Sequence, residues 1–342
     1  MSIDRGLPID RAGTDLLTGA RRSPAENSHR SPMHPTGVKS LLPRSRSGWN
    51  QNMPDTPRIS VVIPVKDDDT ELARCLRALA QQSRPADEVI VVDNGSTDAS
   101  AEVARAFGAR LVRCETPGIP AASAAGYDAA AGDVILRLDA DCVPDASWIG
   151  AMADAFASRP DVSAFTGGAR FIDGPRALRV ALATLYLGAY AAVMIPTLGH
   201  LPLFGSNLGM RREAWLGIRS RVHLDAALHD DMDLSFHLGE RGRIRHLPAA
   251  RKGMSMRPFA PGRAFGRRAA RGLRTVLVHF PRDVPPVRWT RRALRWAGAS
   301  RPLRQRPRPR TGHVATVPQR RRPRDRGYDT RPSPGRETRS QR

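Results

Sequence analysis

Short apolar runs alternate with segments of helical period from residue 59 onward. Ile59-Ser-Val-Val-Ile-Pro-Val65 carries no charge and suits a strand buried on both faces of a parallel sheet. Thr70 to Gln82 then spaces Leu72, Cys75, Leu76 and Leu79 so that they share one face of a helix. Glu88 to Asp93 predicts a second strand, followed by Asn94-Gly-Ser-Thr-Asp98, a turn able to cap a helix ending at Phe107. Arg110 to Arg113 predicts a third strand, Ala121 to Ala131 a helix, and Val134 to Leu138 a fourth strand. This alternation predicts an α/β domain with a doubly wound, mostly parallel sheet covered on both faces. Ligands of such sheets sit at the carboxyl ends of the strands. Asp67, Asp93, Asp98, Asp139 and Asp141 all fall there.

The second half is less regular. Val180 to Leu198 runs nineteen residues without a charge, long enough to cross a bilayer. Thr184, Gly188, Pro196, Tyr186 and Tyr190 dilute its apolar character, so the expectation is a buried or surface-lying helix.

Composition matters once it is located along the chain. A net charge of +22 suggests a nucleic-acid partner, yet residues 57–255 carry −2, while residues 1–56, 256–300 and 301–342 carry +3, +10 and +11. A near-neutral domain over 57–255 is therefore expected between a disordered extension (1–56) and a basic, amphipathic helical one (256–300). A disordered Arg/Pro-rich tail (301–342) follows. Cys75, Cys114 and Cys142 form no CxxC pair and suit a reducing compartment. The first thirty residues hold no apolar signal core, which predicts a cytoplasmic protein. Glycine-rich dinucleotide and P-loop patterns are absent.

The chemistry concentrates in Asp133-Val-Ile-Leu-Arg-Leu-Asp139-Ala-Asp141, where an apolar strand ends in two acids one residue apart. If the pleat continues, both carboxylates face one spot and suit a hard divalent cation carrying phosphate oxygens. An acidic loop is the plain alternative for a lone D-x-D.

Taken in order, the motifs resemble the family 2 glycosyltransferases, inverting enzymes with the nucleotide-diphospho-sugar transferase (glycosyltransferase A-type) fold. Ile59 to Pro64 is similar to the family's opening strand, and Val91-Val-Asp93-Asn-Gly-Ser-Thr-Asp98 to its nucleotide-binding turn. Leu138-Asp139-Ala-Asp141 is similar to its metal motif, and Gly205-Ser-Asn207 through Trp215 to its acceptor-side loop and helix. His229-Asp230-Asp231-Met-Asp233-Leu234 is similar to the motif that supplies the base. The resemblance spans roughly Arg58 to Met256. It implies a nucleotide-sugar donor held by Pro64, Asp93, Asp98 and Asp139, and a divalent metal, Mn2+ or Mg2+, on Asp141 and Asp139. It implies Asp231 as catalytic base, with Asn207, Asp230 and Asp233 on the acceptor side. The acceptor would be a glycan or a lipid-linked, cell-envelope molecule.

One departure stands out. Where the family commonly carries an Arg-Asn pair, this chain has Pro120-Ala-Ala-Ser-Ala-Ala125, leaving Arg137 or Arg170 to supply the contact. That departure motivates the rival reading, a non-catalytic nucleotide-binding or interaction protein of the same fold. His200, His223, His229 and His246 lack a zinc-ligand spacing such as HxxxH, and His229 reads as a surface residue beside the base. From Arg263 to Trp296 cationic side chains interleave with Phe265, Leu273, Leu277, Trp289 and Leu294. That pattern suits an anionic membrane surface, such as the inner face of the plasma membrane. Nucleic acid is the disfavoured partner, and a solvated tail with no partner is the bland alternative.

Overall fold

The computed structural model describes residues 56–256, 263–280 and 282–299. The disorder expected over 1–56 and 301–342 lies, apart from residue 56, outside the described residues.

Four strands form the parallel half of one sheet. They are β1 (Ile59–Val65), β2 (Glu88–Asp93), β3 (Arg110–Arg113) and β4 (Val134–Leu138), in the spatial order β3-β2-β1-β4. Every residue of β1 and β4 is buried, which is why both are almost uninterrupted apolar runs. Alternation along β1 divides the core. Ile59, Val61, Ile63 and Val65 meet α1 (Asp69–Ala80), α2 (Ser100–Ala106) and α4 (Trp148–Ser158) on one face. Val62 meets α3 (Ile119–Ala129) on the other, in a cluster with Ile90, Tyr127 and Trp215.

The sheet continues with mixed polarity. β7 (Asn207–Arg211) runs antiparallel to β4 and to β6 (Ala164–Phe171), β8 (Ile244–Met254) runs parallel to β6, and the short β5 (Val143–Pro144) closes the edge. The mostly parallel expectation therefore holds for the first four strands. β7 runs against both of its neighbours, although α5 separates it from β6 in the chain.

The charge-free segment forms α5 (Arg179–Leu198), with Ala183, Met194 and Leu198 buried and Leu185 and Val193 about 70% exposed. It is a surface-lying helix in this structure; Arg176–Leu198 is also the one stretch among the described residues long and apolar enough to cross a membrane. Short α6 (Arg212–Leu216) leads toward α7 (Asp230–Arg241). α8 (Arg263–His279) and α9 (Pro285–Ala299) follow. They pack on α7 and on the end of α5. Thr275 Oγ1 accepts from the His229 amide, Arg288 donates to the carbonyls of Leu198 and Phe236, and Trp289 Nε1 donates to the Pro196 carbonyl. The first compact unit accordingly runs through Arg295, and a second begins at Trp296.

Two glycines report on packing with opposite sign. A Cβ on Gly126 would stand 2.3 Å from Val62 Cγ1 and 2.8 Å from Val92 Cγ2, because α3 lies directly on the sheet there. Gly188 on exposed α5 has nothing within 4 Å. Gly126→Ala is expected to lower unfolding stability by about 1–3 kcal/mol. Gly188→Ala should raise it by about 0.5–1 kcal/mol. Urea unfolding of the two variants checks both signs.

Candidate functional site

The strand-end loops are laced together by their acids. Asp67 Oδ1 accepts from the Thr97 amide at 2.7 Å, and Asp98 spends Oδ2 on the Asp69 amide and Oδ1 on the Ser100 amide. Asp93 is buried at the end of β2 and its Oδ1 accepts from the Ser96 amide. These bonds make rigid turns at the head of the sheet. Burial would raise Asp98, but its hydrogen bonds with Ser100 and Asp69 hold the carboxyl below the usual range. Asp98, expected on the donor, fastens these loops and does not line the cavity described next.

A cavity of about 460 Å³ opens between these loops, lined by Pro64, Lys66, Asp68, Asn94, Gly118 and Asp139. Asn94, the neighbour of Asp93, forms the wall. Its side chain accepts from the Gly118 amide and donates to the carbonyls of Cys114 and Thr116. Pro64, expected on the donor, is one of the residues lining this cavity.

A second cavity of about 550 Å³ shares Asp139 and Asp141 with the first and reaches Asp230, Asp231 and Lys252. The two acids of the D-x-D do converge, though by a different route from the one expected. β4 stops at Leu138, and a turn closed by the Cys142 amide on the Asp139 carbonyl presents both carboxylates. Asp139, Asp141 and Cys142 offer ligand atoms within 4.8 Å of one another. Burial pushes the Cys142 thiol up to about 12 against the opposing pull of Lys252, whose Nζ lies 3.0 Å from the sulfur, so it stays a thiol. The donors facing the cleft are then carboxylate oxygens, a set that fits a hard divalent cation such as Mg2+ or Mn2+.

Arg137 connects the two acidic groups. It is the charged residue within an apolar strand and is 2% exposed. Nη2 donates to Asp139 Oδ1 at 2.9 Å and Nη1 donates to Asp230 Oδ2. Burial alone would lower its affinity for a proton, but Asp230 and Asp139 outweigh that and fix the positive charge. Arg170 instead pairs with Asp145 at 2.8 Å, outside both cavities. The arginine-free stretch 120–125 forms the buried start of α3, and Ser123 Oγ donates to Asp230 Oδ2 at 3.3 Å.

At the start of α7 the adjacent acids diverge. Asp230 turns to Arg137 and Ser123, whereas Asp231 Oδ2 accepts from the Gly205 amide at 3.0 Å. Gly205 is required there, since a Cβ would lie 2.6 Å from Arg137 Nη1 and 3.1 Å from Asp231 Cβ. Burial pushes Asp230 upward against the pull of Arg137. Burial would raise Asp231 too, but contacts with His229 and the Gly205 amide hold it below the usual range, ionised and able to take a proton.

Two expected site residues, Asn207 and Asp233, do different work. Asn207 is 1% exposed; its Oδ1 accepts from Trp148 Nε1, and its Nδ2 donates to the carbonyls of Gly168 and Ala250. It brackets three strands and a helix and lines neither cavity. Asp233 faces a cluster of histidines on the other side of α7. His229, expected at the surface, lies 3.6 Å from Asp231 Oδ1 and is 30% exposed. Lys252, and Arg268 and Arg271 of α8, join the larger cavity without any local motif to announce them. Tyr186, Tyr190 and Phe204 give it an aromatic wall.

The His229–Asp231 pair raises the His229 imidazole above its ordinary value, chiefly through the hydrogen bond with Asp231. Its contribution to stability is complete below the unfolded imidazole value of roughly 6.5 and is lost as pH rises through the higher folded value. A histidine-resolved NMR titration should find His229 above that range, and Asp231→Asn should bring it down. An unchanged midpoint in the variant would remove the pair.

Residues 60–215 match the family model described as glycosyl transferase family 2. Glycosyltransferase AglE of Haloferax volcanii is 37% identical over 101 residues, 27% of this chain and 33% of that protein. An undecaprenyl-phosphate 4-deoxy-4-formamido-L-arabinose transferase of Pseudomonas fluorescens is 34% identical over 93 residues, 24% of this chain and 27% of that one. The matched segment thus spans a third or less of either relative. Among solved structures, mannosyltransferase PcManGT from Pyrobaculum calidifontis, in complex with GDP-Man and Mn2+, aligns at a TM-score of 0.50 and 20% identity. That alignment covers 71% of this chain and 75% of that one and establishes the shared fold.

Proposed function

We infer that this chain, whose residues 60–215 belong to glycosyltransferase family 2, is an inverting glycosyltransferase that moves a sugar from a nucleotide-sugar donor to an acceptor hydroxyl. The observation that carries this reading is the arrangement of Asp139 and Asp141 on one side of Arg137 and Asp231 on the other, around one cavity.

The nucleotide occupies the cavity between Pro64, Asn94 and Gly118, with Asp93 at the adjoining end of β2. Its diphosphate extends toward Asp139 and Asp141. Asp139 and Asp141 would hold a divalent cation, Mn2+ or Mg2+, whose positive charge would offset that of the leaving diphosphate. Lys252 adds a fixed cation to the same cavity. Asp231, on the opposite side, accepts the proton of the acceptor hydroxyl as that oxygen bonds to the anomeric carbon. The bond from that carbon to the diphosphate breaks, and the nucleoside diphosphate leaves with the electron pair. Asp231 is suited to this because the Gly205 amide and His229 keep it ionised and aimed at the cavity. Asp230 is a positioning residue, since its carboxylate holds Arg137. The Arg137 bridge also weakens the non-catalytic rival, because a cation reaches the site despite the altered 120–125 stretch.

Purified protein with manganese should release nucleoside diphosphate slowly from a sugar donor within a donor panel. Asp231→Asn should reduce transfer by roughly 10²–10⁴-fold while leaving donor affinity within about twofold. Full activity in that variant removes Asp231 as the base, and a panel with neither binding nor turnover removes the enzyme.

The acceptor in this reading is lipid-linked and is met at the cytoplasmic face of a membrane. The aromatic wall and Arg268 and Arg271 suit a phosphate carried on an apolar chain, and the undecaprenyl-phosphate relative acts on such chemistry by its name. α5 exposes Leu185 and Val193, and α8 and α9 expose Leu273, Leu277, Trp289 and Leu294 beside arginines. Sedimentation with phosphatidylglycerol vesicles should fall severalfold in Leu185→Glu/Val193→Glu and with added salt. Equal sedimentation of wild type and variant removes the membrane contact.

A further inference from the structure

We propose that His223, Asp233, His237 and His279 form a transition-metal site, separate from the Asp139/Asp141 pair, that fastens α8 to α7. The four side chains offer ligand atoms that all lie within 4.8 Å of one another. Asp233 Oδ1 is the point of convergence, with His223 Nδ1 at 2.6 Å, His279 Nε2 at 3.3 Å and His237 Nε2 at 3.6 Å. The edges of a tetrahedron with metal–ligand bonds of about 2.0 Å are roughly 3.3 Å. Modest shifts of the rings would therefore complete a four-coordinate site.

The tautomers favour a cation over a hydrogen-bonded cluster. His279 Nδ1 lies 2.8 Å from the Thr275 carbonyl, which can only accept, so its proton sits on that nitrogen. Nε2 is then a lone pair aimed at a carboxylate oxygen. Only a second proton or a cation between them makes that contact favourable. The Nε2 atoms of both His237 and His279 are buried without a hydrogen-bond partner. A carbonyl fixing the ring nitrogen opposite the ligand atom is the usual support of a metal-bound histidine. Phe236 stacks on His279 with centroids 3.9 Å apart and holds that ring in place.

The ligands come from three segments. Asp233 and His237 lie one turn apart on α7, His223 precedes α7, and His279 ends α8. Three imidazoles and one carboxylate suit Zn2+, unlike the all-oxygen pair at 139 and 141. The site bears on the cavity through Thr275, whose carbonyl orients His279 and whose hydroxyl accepts from the amide of His229. A metal here would fix α8 and with it Arg268 and Arg271.

Chelator-treated full-length protein, titrated with Co2+, should show the intense visible absorption of a four-coordinate ion at one equivalent, displaced by Zn2+. The Asp139→Asn/Asp141→Asn variant should keep that absorption, which separates this site from the donor metal. His237→Gln and His279→Gln should each weaken Co2+ binding at least tenfold. Should either fail to fold, His223→Gln, on the more exposed side of the cluster, gives the same readout. Zn2+ should also raise the melting temperature of wild type and leave that of the histidine variant unchanged. Absent or weak six-coordinate absorption in wild type, or undiminished binding in the folded histidine variant, overturns the proposal.

Discussion

The buried guanidinium of Arg137 is the constraint on which the site depends. A cation taken out of water is tolerated only when opposite charges and hydrogen bonds surround it, and Asp139 and Asp230 do so here. The two carboxylates belong to elements far apart in sequence, the turn after β4 and the start of α7. Their shared partner therefore sets the distance between the D-x-D turn and the acid pair. Gly205 seals the arrangement by allowing the loop before β7 to lie against both Arg137 and Asp231. Removing the arginine would leave the buried Asp230 without its counter-charge, so one interaction serves both folding and the electrostatics of the cavity.

Much of the first half was legible in the sequence because buried parallel strands must be apolar throughout and their helices must show one apolar face. β1, β2 and β4 and the helices between them follow that rule closely. The order of the strand-end acids was legible for the same reason, since carboxylates cannot be left inside the sheet and collect where it ends. Helix starts slipped by a residue or two where Pro120 opens α3 earlier than the apolar period suggests.

What escaped has a common physical cause. Asn207 and Asp233 carry groups that suit an acceptor, but side-chain direction on β7 and α7 decides whether they see the cavity or the interior. Asn207 is consumed by Trp148 and two carbonyls, and Asp233 by imidazoles. His279 and His223 lie 56 residues apart in number and meet only because α8 folds back, so no local spacing could join them. The helical character of α8 was legible in its amphipathic pattern, but its docking was not, because a run of arginines reads as solvated whether or not Thr275 and His279 lie beneath it. Arg137 did leave a mark, as a lone charge in a strand that is otherwise apolar and wholly buried.

α5 has two occupied sides of different character. Tyr186 and Tyr190 look into the larger cavity, while Leu185 and Val193 look away from the protein. The helix is thus a partition, and an α-helix with its side chains is about 10–12 Å across. The cavity lined by Asp230 and Asp231 and the exposed leucine and valine side chains are therefore one helix width apart. For any molecule that must touch both, the partition works as a ruler: its span, more than the shape of the cavity, sets how far the reactive end can stand from the part left outside.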